Sequence, residues 1–175
     1  MEALIIVDVQ KDFCPGGNLP SPEGEKIISV INDLAEKFDV VVASKDNHPP
    51  DSNHFEKWPL HCIQGTDGAK FHPKLNTEYI EKVFLKGTTK ADDGYSAFDS
   101  TENLNSYLRH RKVTDVYIVG LTTEYCIKAT AIQSQKIGFN TFIITDAVGA
   151  VNPNSKEKVK AVEVKNERIN ITLVD

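Results

Sequence analysis

Cysteine is scarce in this chain, with three in 175 residues: Cys14, Cys62 and Cys126. An odd count with neither zinc-knuckle nor Cys-x-x-Cys spacing argues against a disulfide framework and a dithiol redox motif, and points to a reducing, cytoplasmic setting. Long apolar runs are also missing. The first, Ala3 to Val7, is broken at once by Asp8, and neither a basic leader nor a small-residue cleavage site accompanies it. It therefore reads as a strand, which leaves no signal peptide or membrane span at this end. Positive charge is in deficit, with 20 Lys and Arg against 25 Asp and Glu for a formal net charge of −5. Because the signs are interspersed, no basic run is available to grip a phosphate backbone or an anionic membrane, which argues against both as partners. Internal repeats, low-complexity tracts and linkers are absent as well.

What is present suits one compact unit, since 40% apolar residues at this length bury a substantial core. A single domain over residues 1–175 is expected. Short β-branched runs at 3–7 and 40–43 flank a segment with Ile27, Ile31, Leu34, Ala35 and Phe38 at helical spacing, a β-α-β unit. The pattern recurs with a strand at 83–85, a helix through Leu104, Tyr107 and Leu108, and a strand at 116–120. A helix from about 124 to 137, a strand at 141–145, a weaker helical segment after Ser155 and a last strand at 169–174 complete it. Strands apolar on both faces, alternating with helices, predict a three-layer α/β/α doubly wound fold with a mostly parallel, six-stranded sheet. Helical seams and exposed apolar stripes are not readable in this pattern, so a homo-oligomer is left open.

Ligands of such sheets bind beyond the carboxyl ends of the strands. The polar residues there are Asp8, Lys45 and Asp46, Lys86, the turn from Gly120 to Cys126, and Asp146. Taken singly each has a bland reading: a cap, a solvated strand end, a packed thiol. Together they offer a carboxylate that can accept a thiol proton, an ammonium that tolerates both anions, and a nucleophile. Cys126 follows an apolar run and opens a helix, where unpaired N–H groups and the positive end of the helix dipole are expected to favour its anion.

The stretch from Asn47 to Pro73 is rich in Pro, Gly, His and Asp and lacks periodicity, and a loop of that length in a compact domain is usually functional. Asp46, His48, His54 and His61 fall within about sixteen positions of one another there, a donor set for one divalent ion with positions left for water and substrate. Zinc, iron(II) and manganese suit it about equally. The competing reading is a polar surface loop with incidental histidines. His72 and His110 have no such company and stay outside the expected site, and Cys14 and Cys62 are read as packed thiols.

Five blocks in order, "ALIIVDVQKDFCPGG", "SKDNHPPDSNHF", "WPLHCIQGTDGAKFHP", "VFLKGTTKADDGYSAF" and "VGLTTEYCIKATA", resemble the successive motifs of nicotinamidases (pyrazinamidases) in the isochorismatase-like cysteine hydrolase superfamily. The resemblance runs from residue 3 to about 147. It implies a catalytic triad of Asp8, Lys86 and Cys126, and metal ligation by Asp46, His48 and His61, with His54 matching a histidine that ligates in some members. It also implies a pyridine ring held by Phe13, Trp58 and Tyr95, and a cis peptide at Leu121–Thr122 that turns the N–H groups of Thr122 and Cys126 towards an oxyanion. Tyr125, at the pocket edge, stands where some members carry histidine, and the polar segment after Val151 departs from the family's small-residue helix and glycine turn. The expected activity is amide hydrolysis of nicotinamide to nicotinate and ammonia through a Cys thioester, in NAD salvage. The rivals are an amidohydrolase of the superfamily with a ureido or carbamoyl substrate, and a non-catalytic metal- or ligand-binding protein.

Overall fold

The β-branched runs pair as parallel strands because each is apolar on both faces and can be covered by helices on either side. In the computed structural model, which describes residues 1–91, 94–152 and 171–174, they are β1 (Glu2–Val7), β2 (Val40–Asp46), β3 (Lys82–Lys86), β4 (Asp115–Leu121), β5 (Asn140–Gly149) and β6 (Ile171–Val174). They form a six-stranded sheet in the order β3-β2-β1-β4-β5-β6, and every described pairing is parallel. The helices are α1 (Ile28–Ala35), α2 (Leu104–His110) and α3 (Lys128–Lys136).

Alternation along the strands divides the core. Ala3, Ile5 and Val7 of β1 pack with Leu104 and Leu108 of α2 and Ala131 of α3, while Leu4 and Ile6 pack with Ile28, Ile31 and Ala35 of α1. The sheet is thus sandwiched between helical layers, as the sequence pattern predicts. None of the described helices is long and apolar enough to cross a membrane. The helix expected after Ser155 lies outside the described residues.

Two elements differ from expectation. β5 runs on to Gly149, beyond Thr145, and its pairing with β4 shifts register between Ile118 and Gly120. Asp146 therefore sits within a strand, exposed, instead of ending one. The helix from about 124 begins with a π-helical turn, Thr123–Ile127, before α3. The long loop has a 3₁₀ turn at Asn53–Glu56 and is tied to the sheet end by bridges from His48 to Ile63 and from Gln10 to Phe71.

With this order the chain reverses between β1 and β4, and the carboxyl ends of these neighbours open a crevice. Asp8 follows β1 directly, and the π-helical turn with Cys126 follows β4. Gly120 lets the two ends approach: its φ is +114°, and a Cβ there would run into the Val7 carbonyl oxygen.

Candidate active site

Four strand ends deliver one buried cluster. Lys86 closes β3 opposite Asp46, its register partner on β2, and its ammonium reaches across to the end of β1. The Lys86 Nζ lies 2.7 Å from Asp8 Oδ2 and 3.5 Å from Cys126 Sγ, donates to the Gly94 carbonyl at 2.7 Å, and pairs with Asp46 Oδ1. Ser44, one turn of the pleat before Asp46, donates to Asp8 Oδ1 at 2.8 Å. Asp8, Asp46, Lys86 and Cys126 are all nearly or fully buried.

Two carboxylates thus share one ammonium, and the electrostatics follow from that. Burial pushes Asp8 up from 3.8 to about 6, partly offset by Lys86 and reinforced by Asp46. Burial acts on Asp46 in the same sense, but Lys86 and His48 outweigh it and hold that carboxyl well below the usual range. For Lys86, burial is overcome by Asp46, Asp8 and Cys126, so the ammonium is firmly charged.

The thiol corrects the sequence reading. Burial raises Cys126 well above its ordinary value, with Asp8 and Asp46 adding to the rise and Lys86 opposing it. Burial thus acts against the anion that the helix start was expected to favour, beside a carboxylate whose proton affinity is also raised. The peptide Leu121–Thr122 is cis, as the resemblance implies.

The loop supplies the second cluster. Nitrogens of His48, His54 and His61 lie within 4.8 Å of one another, all three residues buried. His54 is therefore a full member of the group. Asp46 Oδ2 faces His48 Nε2 at 3.7 Å, so the carboxylate borders both clusters. His48 Nδ1 is spent on the Gly87 carbonyl at 3.0 Å, and His61 Nδ1 on the Pro59 carbonyl at 2.7 Å, which turns their Nε2 atoms towards the cluster. Gly87, at φ +61°, is needed here because a Cβ would strike the His48 ring. The His48 Nε2 is buried and has no hydrogen-bond partner among the described residues. A buried imidazole nitrogen left unpaired, among two more imidazoles and a carboxylate, suits a divalent metal. Burial also lowers His61, which keeps its ring neutral and able to ligate.

One narrow cavity of about 30 Å³ joins the clusters. Its floor includes Cys126, Asp46, His54 and His61; Phe13, Trp58, Tyr95 and Tyr125 form the aromatic walls, and Leu19, Thr122 and Val151 complete it. Trp58 Nε1 donates to the Tyr95 hydroxyl at 2.9 Å and meets Tyr125 edge-on at 4.8 Å between centroids. All of the residues expected in the site converge, except that Leu121 packs into the core. Lys45 and Asp146 do not join. Lys45 alternates to the other side of β2 from Asp46 and lies 5.0 Å over the Phe71 ring. His72 stays outside, and Cys14 and Cys62 are buried free thiols raised by burial, Cys14 to about 11.

Sequence reasoning missed the residues that hold the loop. Gln10 brackets Asp46, accepting from its N–H and donating to its carbonyl, both at 2.8 Å. Asp12 Oδ2 accepts the Cys62 N–H at 2.7 Å, beside His61. The spacing Asp8, Gln10, Asp12 after an apolar strand was the one signal available for them.

The chain belongs to the isochorismatase domain family, whose pattern it matches over residues 2–166. Within that family it is a hydrolase whose relatives are nicotinamidases and pyrazinamidases. It is 41% identical over 167 residues to the nicotinamidase/pyrazinamidase of Mycobacterium tuberculosis, spanning 89% of this chain and 90% of that protein. The pyrazinamidase of Pyrococcus horikoshii in complex with zinc superposes with a TM-score of 0.88 at 39% identity, over 99% of this chain and 98% of that one. The yeast nicotinamidase bound to the inhibitor nicotinaldehyde gives 0.90 at 29% identity, over 100% of both chains.

Proposed function

We propose that this protein is a nicotinamidase of a single cysteine hydrolase domain, converting nicotinamide to nicotinate and ammonia in NAD salvage. The observation that carries the reading is the shared cavity: Cys126, Asp46, His54 and His61 line one aromatic-walled space, with Lys86 in contact with both the thiol and Asp8, and His48 completing the imidazole cluster. Relatives named for this activity, at 41% identity over most of the chain, support it.

In this reading Phe13, Trp58, Tyr95 and Tyr125 sandwich the ring, exclude water and bring the carboxamide carbon to Cys126. Asp46, His48 and His61, with His54, would hold a divalent metal, which supplies a Lewis-acidic anchor for the pyridine nitrogen; zinc in a similar pyrazinamidase favours that ion among the candidates. Asp8 takes the thiol proton as sulfur attacks the amide carbon, while Lys86 balances the charge. Backbone N–H groups of Thr122 and Cys126 stabilise the tetrahedral oxyanion. Asp8 then gives the proton to the departing nitrogen, ammonia leaves, and a thioester remains on Cys126. Water, losing a proton to Asp8, attacks that thioester; the C–S bond breaks, nicotinate leaves and the thiol regains its proton.

The test is release of nicotinate and ammonia from nicotinamide by the purified protein, with and without a chelator. Chelator-sensitive turnover is expected. Hydrolysis of ureido or carbamoyl compounds with nicotinamide untouched would overturn the substrate assignment.

A further inference from the structure

The thiol's own turn also reaches the far wall of the cavity. Glu124, two residues before Cys126, accepts from the Val151 N–H at 3.0 Å through one carboxylate oxygen and from the Asn152 N–H at 3.1 Å through the other. From the opposite side, the buried Ser21 donates to the Ala150 carbonyl at 2.7 Å, and its own N–H donates to the carbonyl of Phe13, a wall residue. Three successive residues after β5 are thus pinned by side chains of two other segments, and the middle one, Val151, lines the cavity.

We infer that Glu124 is a positioning residue: its carboxylate clamps residues 151–152 so that Val151 closes the substrate cavity, tying that wall to the turn that carries Cys126. The argument is chemical. A carboxylate offers two acceptor oxygens to two consecutive backbone N–H groups, and such charge-assisted bonds are stronger than neutral ones. Both residues lie beyond the end of β5 at Gly149. A wall beyond the end of its strand is held by such an anchor in contact with the ring, which is binding made equally before and during attack. The role deepens the proposed function and rests on it for its kinetic arm.

The experiment compares wild type with Glu124→Ala and Glu124→Gln by amide hydrogen exchange and by nicotinamide kinetics. Loss of the clamp is expected to reduce protection at Val151 and Asn152 roughly tenfold or more in the Ala variant. The reduction should be smaller with Gln, which keeps one acceptor, and β1 and β4 amides should be unchanged. KM for nicotinamide is expected to rise roughly tenfold with kcat little altered, the mark of a lost positioning contact. Unchanged protection at 151 and 152 would overturn the clamp, and so would protection lost throughout the sheet or a fall in kcat at constant KM. If wild-type protein leaves nicotinamide intact, the substrate assignment falls, while the exchange comparison still decides the clamp.

Discussion

Asp8, Asp46 and Lys86 ride on strand ends whose backbone is set by parallel pairing, whereas His54 and His61 ride on a loop held by isolated bridges, scattered backbone bonds and side chains such as Gln10 and Asp12. The strand-end cluster is nearly complete in itself: Lys86 spends its donors on Asp46, Gly94 and Cys126 and lies in ion-pair contact with Asp8. The loop cluster is looser: among the described residues the buried His48 Nε2 has no hydrogen-bond partner and lies 3.7 Å from Asp46 Oδ2, whereas Asp8 Oδ2 has an ammonium at 2.7 Å. In the proposed reading, one region serves proton transfer and the other would receive a cation. Asp46, which touches both, makes the two mutually dependent.

The largest expected effect tests the strand-end cluster. Cys126→Ala should lower turnover at least about 10⁴-fold, as removal of a nucleophile does, while fold and metal content survive. Steady-state kinetics with elemental analysis checks it, and comparable activity in that variant would remove the nucleophile assignment. Next comes the loop: His48→Ala should lower metal content and cut kcat/KM by more than about 100-fold, beyond the range of an outer-shell change. Full metal content with full activity would dissolve the distinction between the clusters.

A third variant probes how the loop is held. Asp12 is not itself a candidate ligand, yet it fixes the Cys62 N–H next to His61. Asp12→Asn should weaken metal affinity roughly 10–100-fold, measured by competition with a chromogenic chelator, and added metal should restore activity. Unaltered affinity would mean that the loop holds its shape without that carboxylate.

The two regions also differ in how far they can be read from the amino acids. Asp8, Asp46 and Lys86 are legible because each ends or follows a run of apolar β-branched residues, and strand ends are where open sheets bind ligands. The histidines are legible as a cluster through spacing alone. Gln10 and Asp12 are not, because their partners are backbone groups 36 and 50 residues away, and distant backbone leaves no local pattern. The length of β5 was hidden for a related reason: an acid at 146 resembles a strand end until the opposing surface is known to be open to solvent. The π-helical start of α3 is equally silent, since a shift in hydrogen-bond offset barely alters the spacing of apolar residues. For Cys126 the helix start suggested an anion, whereas burial, which local sequence does not show, acts in the opposite sense.

The smallest effect, and the one that separates proton transfer from cation binding, is the acid limb of the pH profile. Asp8 must be ionised to accept the thiol proton, and its carboxyl is raised from 3.8 to about 6. Above pH 6 the base is available; below it kcat/KM should fall about tenfold per pH unit. The sign for stability is the reverse. A carboxyl that binds its proton more tightly in the folded state than in the unfolded chain stabilises the fold when protonated, and that contribution is lost as pH rises from about 4 to 6. Activity lost through Asp8 should therefore disappear in a protein that stays folded. Profiles of kcat/KM at two metal concentrations, run beside near-ultraviolet circular dichroism, distinguish the cases. A limb near pH 6 with an unchanged spectrum assigns it to the strand-end cluster. Flat activity down to pH 5 removes Asp8 as the base, and a limb that vanishes with more metal transfers it to the histidines, whose protonation competes with the cation.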